Sequence, residues 1–128
     1  MLTRQGAVVQ PQAELMIDTI GSAAVGAAAS AVISGVTGKI SYATGFEVTF
    51  GADGTGVVAD TLTLASTASG FHSLSWRVVT TGGAAVPPLV VVFPYPVACQ
   101  TVGADLTLAL GGVALRSSAT IVLHGFVA

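Results

Sequence analysis

The side chains of this chain that are able to do chemistry are few. There are six carboxylates (Glu14, Asp18, Glu47, Asp53, Asp60, Asp105), two histidines (His72, His124) and one cysteine, Cys99. Glycoside hydrolysis needs two carboxylates facing one cleft. Glu47 and Asp60 fall on neighbouring predicted strands, which would let them approach. Glu47, however, points away from the Phe46/Val48/Phe50 face and reads as solvated, and no acid–base constellation accompanies the pair. The histidines show neither H-x-H nor H-E-x-x-H spacing. His72 sits in a loop before the Trp76 strand and His124 near the end of the C-terminal strand. Both are expected in surface or hydrogen-bonded structural roles. Cys99 has no intrachain disulfide partner and reads as a small buried hydrophobe, with an interchain disulfide as the alternative.

The remaining motifs are equally sparse. No Gly-x-Ser-x-Gly elbow precedes a helix. Gly51-Ala52-Asp53-Gly54-Thr55-Gly56 lacks the Lys-Ser/Thr of a phosphate-binding loop, and one Asp among glycines supplies too few oxygens for calcium. A hairpin turn is the better reading. Trp76, Tyr42, Tyr95 and His72 are available as a sugar platform. Trp76 shares its strand face with Leu74 and Val78 and reads as core. Tyr95, between Pro94 and Pro96, is the best exposed candidate, either for a carbohydrate or for a subunit contact, where aromatics are enriched. The expectation is a chain that is not an enzyme, with no cofactor and no metal site.

Charge narrows the classes further. Only 8% of the 128 residues are charged, against 52% hydrophobic, with 4 cations and a net charge of −2. Mean hydropathy is +0.84. An isolated soluble domain carries about 25% charged residues, so much of this surface is expected to be covered by other protein. Arg4, Lys39, Arg77 and Arg116 are too scattered to neutralise phosphates, which sets nucleic acid aside. The uncharged stretches Thr19 to Gly38 and Val78 to Ala104 do not read as membrane spans. The first is rich in Gly, Ser and small residues, and the second holds four prolines. The first residues carry no signal-peptide pattern, and the expectation is a product assembled in the cytoplasm.

These residues must be positioned by strands. Residues 1–21 read as a polar N-terminal arm, with a turn over Asp18 to Ser22, and residues 22–128 as one domain. Ser22 to Ile33 is alanine-rich, and an edge strand or a helix remains open there. Lys39 to Phe50 alternates, with Gly45 as a bulge or kink. Val57 to Leu64, Ser73 to Thr80, Asp105 to Leu110 and Ser117 to Ala128 alternate likewise. Leu89 to Phe93 is a continuous apolar run, suited to a strand buried on both faces or lying on an oligomer contact, and Pro94-Tyr95-Pro96 ends it. Seven or eight short strands with frequent turn signals predict an all-β, antiparallel β-sandwich or jelly roll. Leu89, Val91, Phe93, Tyr95, Val25 and Val32 are the interface candidates.

The order of motifs carries a resemblance. Gly38-Lys39-Ile40-Ser41-Tyr42 runs into Thr44-Gly45-Phe46-Glu47-Val48-Thr49, followed by Leu74-Ser75-Trp76, Pro88 to Pro96, and Ala119-Thr120-Ile121-Val122-Leu123-His124-Gly125-Phe126. This layout resembles the small all-β virion proteins of tailed bacteriophages, of the head decoration (cement) or head-fibre type. The resemblance implies a subunit, often trimeric, bound to the major capsid protein on a virion. It carries over no functional residue, because such proteins act through extended surfaces. A carbohydrate- or receptor-binding module of a spike or tail is the alternative.

Overall fold

The computed structural model describes residues 16–24, 26–51, 54–68, 70–81, 83–110 and 118–128. Eight strands follow one another, with no helix among the described residues: β1 Met16–Ala23, β2 Ala29–Ile33, β3 Ser41–Phe50, β4 Val57–Ser66, β5 Leu74–Thr81, β6 Leu89–Ala98, β7 Leu106–Leu110 and β8 Ala119–Val127. They form two four-stranded sheets. Sheet I has the order β1-β8-β3-β6 and sheet II the order β2-β7-β4-β5. Every pairing is antiparallel, and the chain pairs in a nested way: β1 with β8, β2 with β7, β3 with β6, β4 with β5. Only β4 and β5 are consecutive strands in one sheet, so every other connection crosses between sheets.

The period-2 pattern explains the packing. Leu106, Leu108 and Leu110 on β7, Leu62 and Leu64 on β4, Ile121 and Leu123 on β8, and Phe46 and Val48 on β3 are fully buried between the sheets. Thr and small side chains alternate with them on the outside, as a sheet with one buried face requires. On the β5–β6 side the filling is aromatic. Phe46 meets the Trp76 ring edge-on at 4.7 Å between centroids, and Phe93 lies 6.2 Å from Phe46. Trp76 is half-buried against this core, as its strand face implies.

The expected β-sandwich is therefore present, and several local expectations are corrected. Asp18 to Ser22 is not a turn. It lies inside β1, in unbroken register with β8 from Met16 opposite Phe126 to Ala23 opposite Ala119. The segment assigned to an arm thus contributes a strand from Met16 onward, while residues 1–15 lie outside the described residues. Of the two alternatives left open for Ser22 to Ile33, the edge strand is the one found at Ala29–Ile33, where Ala29, Ala31 and Ile33 are buried and Ser30 between them is exposed. The strands on either side of Gly51 to Gly56 do not form a hairpin, since β3 and β4 belong to different sheets, and Ala52 and Asp53 lie outside the described residues.

Strand β6 differs most from expectation. It is an edge strand with one open face: Leu89, Val91 and Phe93 turn toward the core, while Val90 and Val92 are 58% and 78% exposed. Nor does Pro94-Tyr95-Pro96 end it. Pairing resumes at Val97 opposite Ala43, after leaving off at Val92 opposite Gly45. Phe93 to Pro96 therefore stand against a single residue of β3, and the strand bulges outward there. Proline is tolerated because an edge position needs no donor on its free side. The bulge leaves Tyr95 82% exposed.

Candidate functional site

The outer face of sheet I holds one polar cluster. Asp18 on β1 stands opposite His124 on β8, and His124 stands opposite Gly45 on β3. Alternation sends all three outward, since their neighbours Ile17, Leu123 and Phe46 turn inward. The β3 bulge at Ala43/Gly45 shifts the register beside His124. Gly45 offers no side chain, and a Cβ there would lie 2.5 Å from the Val91 carbonyl oxygen. The gap over Gly45 lets Glu47, a diagonal neighbour, reach back to the imidazole.

The resulting contacts are short. His124 Nδ1 is 2.6 Å from Asp18 Oδ1, and His124 Nε2 is 2.9 Å from Glu47 Oε2. A neutral imidazole has one N–H and one lone pair. Two ionised carboxylates on both ring nitrogens are satisfied only by the doubly protonated ring, which donates to each. The hydrogen bond to Asp18 accordingly raises the His124 pKa above its ordinary 6.5, and Glu47 adds to this, while partial burial opposes it. The carboxylates are more open to water than the ring, and each keeps one oxygen unused by His124.

Around the cluster lies an open depression of about 350 Å³, with Gly45 in its lining and Met16, Val90 and Val92 at its sides. Ile20, 69% exposed, continues the apolar surround. Tyr42 and Phe126 stack on the same face at 4.8 Å. The arrangement holds charge rather than moving protons. Both ring nitrogens are engaged, so neither is free to accept a substrate proton. The three groups also fail to converge on one point, because the ring lies between the carboxylates. Among the described residues no group of three His, Cys, Asp or Glu side chains could hold a metal ion.

The other sequence candidates lie apart. Glu47 and Asp60 are in different sheets, and Asp60 Oδ1 accepts the Thr61 N–H at 2.7 Å. Asp105 orders loops: its carboxylate accepts the Gly35 N–H at 2.6 Å, and its carbonyl accepts the Ser66 hydroxyl at 2.8 Å. His72 is exposed in the loop before β5. Cys99 is fully buried with its thiol donating to the Thr101 carbonyl, so it is not presented for an interchain disulfide. Among the interface candidates, Leu89, Val91 and Phe93 pack against the core, Val32 is half-buried on the edge strand β2, and Tyr95 is exposed. Val25, Glu14 and Asp53 lie outside the described residues. The sequence reasoning missed the Asp18–His124–Glu47 cluster. The available signal was phase: His124 alternates out of step with Ile121 and Leu123, as Glu47 does with Phe46 and Val48.

No protein-family model matches the chain, and neither a curated protein nor a solved structure is found to be similar to it. No helix among the described residues is long and apolar enough to cross a membrane.

Proposed function

We propose that the chain is a structural subunit of a virion. More specifically, we read it as a decoration or cement protein of a tailed phage, homo-oligomeric and bound to the major capsid protein. One observation carries the reading: the outer face of sheet I exposes Met16, Ile20, Val90 and Val92 together. Water-facing aliphatic side chains grouped on one face mark a surface that other protein covers. The scarcity of charge across the whole chain points the same way. Among the described strands, the nested pairing of first with last supports reading the sandwich as a jelly roll, an architecture shared by capsid and lectin domains. Burying 1,000 Å² of apolar surface gains about 25 kcal/mol before association costs, and repetition over a shell multiplies that holding force.

The test is mass spectrometry of particles purified from lysates of cells that carry this gene, with copy counting against the major capsid protein. A fixed, high copy number per particle is expected. Absence from particles, together with a monomer that has no affinity for capsid shells, overturns the reading. A second reading, carbohydrate or receptor binding on a spike or tail, rests on Tyr95, held outward by its flanking prolines. Glycan-array binding that disappears in Tyr95→Ala would favour it over the first.

A further inference from the structure

We propose that copies of this chain associate head to tail, with Arg77 on the outer face of sheet II of one copy seated in the Asp18–His124–Glu47 depression on sheet I of the next. The proposal rests on the homo-oligomeric reading above and names the two faces that would meet.

The observation behind it is how the few charges are distributed. Among the described residues, the outer face of sheet I carries Asp18 and Glu47, bridged by His124. The outer face of sheet II carries Arg77. Its neighbours Trp76 and Val78 turn inward, so Arg77 points out with Ser75 and Val79. Asp60 stands opposite the buried Val78 and so belongs to the inward phase of β4, with its carboxylate on the Thr61 N–H. Asp105 is committed to Gly35, outside the strands. Lys39 lies in the loop before β3. The outer face of sheet I thus carries two carboxylates against one imidazolium, a net negative cluster, and the outer face of sheet II carries a cation. Among the described residues, the ion pairs formed are those of His124, and Arg77 has no carboxylate partner.

The surroundings also match. Arg77 is flanked by Val79, which is 52% exposed, and stands opposite Thr61. The acceptor is flanked by Met16, Val90 and Val92. A guanidinium presents a planar fork of donors suited to carboxylate oxygens. Asp18 and Glu47 each retain one oxygen not used by His124. The depression, about 350 Å³, lies at the small end of volumes that hold ligands. A two-fold pairing of sheet I on sheet I would set carboxylates against carboxylates, and like charges facing each other disfavour that arrangement. A contact between two different patches is heterologous, so it closes into a ring or extends into a filament.

The experiment uses the full chain and sedimentation velocity across a concentration series. Wild type is expected to assemble beyond two copies. Arg77→Glu is expected to lower the association constant about tenfold or more, and the double variant Asp18→Asn/Glu47→Gln to do the same. The decisive sample is their mixture. Arg77→Glu keeps the acceptor and the double variant keeps the donor, so together they should form a one-to-one heterodimer that grows no further. That product requires both variants to be folded. Arg77→Glu assembling like wild type, a mixture that stays monomeric, or a wild type that stops at two copies each overturns the proposal. In the first and third cases oligomerisation itself survives. A monomeric wild type would remove the homo-oligomeric reading as well.

Discussion

Two sets of apolar side chains leave the sheets in opposite directions. Phe46 and Leu108 are fully enclosed between the sheets, whereas Val90 and Val92 stand on the outer face of sheet I, more than half exposed. The inner set holds the fold together, since dense packing makes every removed methylene felt. The outer set gives a lone subunit almost nothing. A chain with so few charges therefore has two apolar surfaces, one enclosed by the fold and one open to water, and it is the second that the proposed assembly would cover. The comparison can be broken from either side.

The inner set should give the largest effects. Phe46→Ala removes a buried ring that contacts both Trp76 and Phe93, and is expected to cost about 3–5 kcal/mol of unfolding free energy in urea titration. A loss under 1 kcal/mol would mean that the aromatic end of the core is not packed as described. Gly125→Ala comes next. A side chain there would run into the Tyr42 carbonyl oxygen and come within 2.5 Å of Ile33 Cδ1. Because one obstacle is backbone, relief requires β3 and β8 to shift, and overpacking of this kind costs about 1–3 kcal/mol. A thermal midpoint equal to wild type would count against the close approach of those two strands.

This inner set is also what the sequence made legible. Leu106-x-Leu108-x-Leu110 and Ile121-x-Leu123 can only bury one side of a strand, and Gly45 marked the irregularity in β3 where the register does shift. What failed was pairing. The Asp-Gly signal at Gly51 to Gly56 tells the chain to reverse direction, and says nothing about which sheet the next strand joins. Asp18 resembled a turn residue because its partner strand, β8, lies a hundred residues away in sequence. The cluster with His124 and Glu47 exists only through the β1–β8–β3 pairing. The apolar run Leu89 to Phe93 suggested two covered faces, and the isolated subunit covers one. That mismatch is itself the trace of the outer set.

Between the two sets lies His124, half-buried and bonded to Asp18 and Glu47. Its folded pKa is raised, chiefly by the bond to Asp18. The sign follows from linkage: a raised pKa means stability that is fully present below the unfolded value of about 6.5 and lost as pH rises through the folded pKa. The charged groups facing the ring are Asp18 from β1 and Glu47 from β3, while β6 lines the depression with Val90, Val91 and Val92. Wild type should therefore exceed His124→Gln in unfolding free energy near pH 6, by at most about 1 kcal/mol for so exposed a cluster. The margin should shrink above that. A margin that grows with pH would show that the imidazole is held neutral. Association should move in the opposite sense, because loss of the proton leaves the depression with two uncompensated carboxylates for Arg77.

The smallest effect on the subunit is the one that most sharpens the contrast. Val92→Ser changes a side chain that is 78% exposed at the side of the depression. Exposed substitutions of this kind stay within about 0.5 kcal/mol, so the urea midpoint of the monomeric Arg77→Glu background should not move. In the otherwise wild-type chain the same change should weaken assembly, because the methyls it removes lie where the neighbouring copy docks. Measuring both quantities on one substitution separates the two uses of an apolar residue. If Val92→Ser destabilises the monomer by more than 1 kcal/mol, the outer set is part of the fold after all. If it leaves assembly untouched, the covered surface lies elsewhere on the subunit, and Tyr95 is the next residue to test.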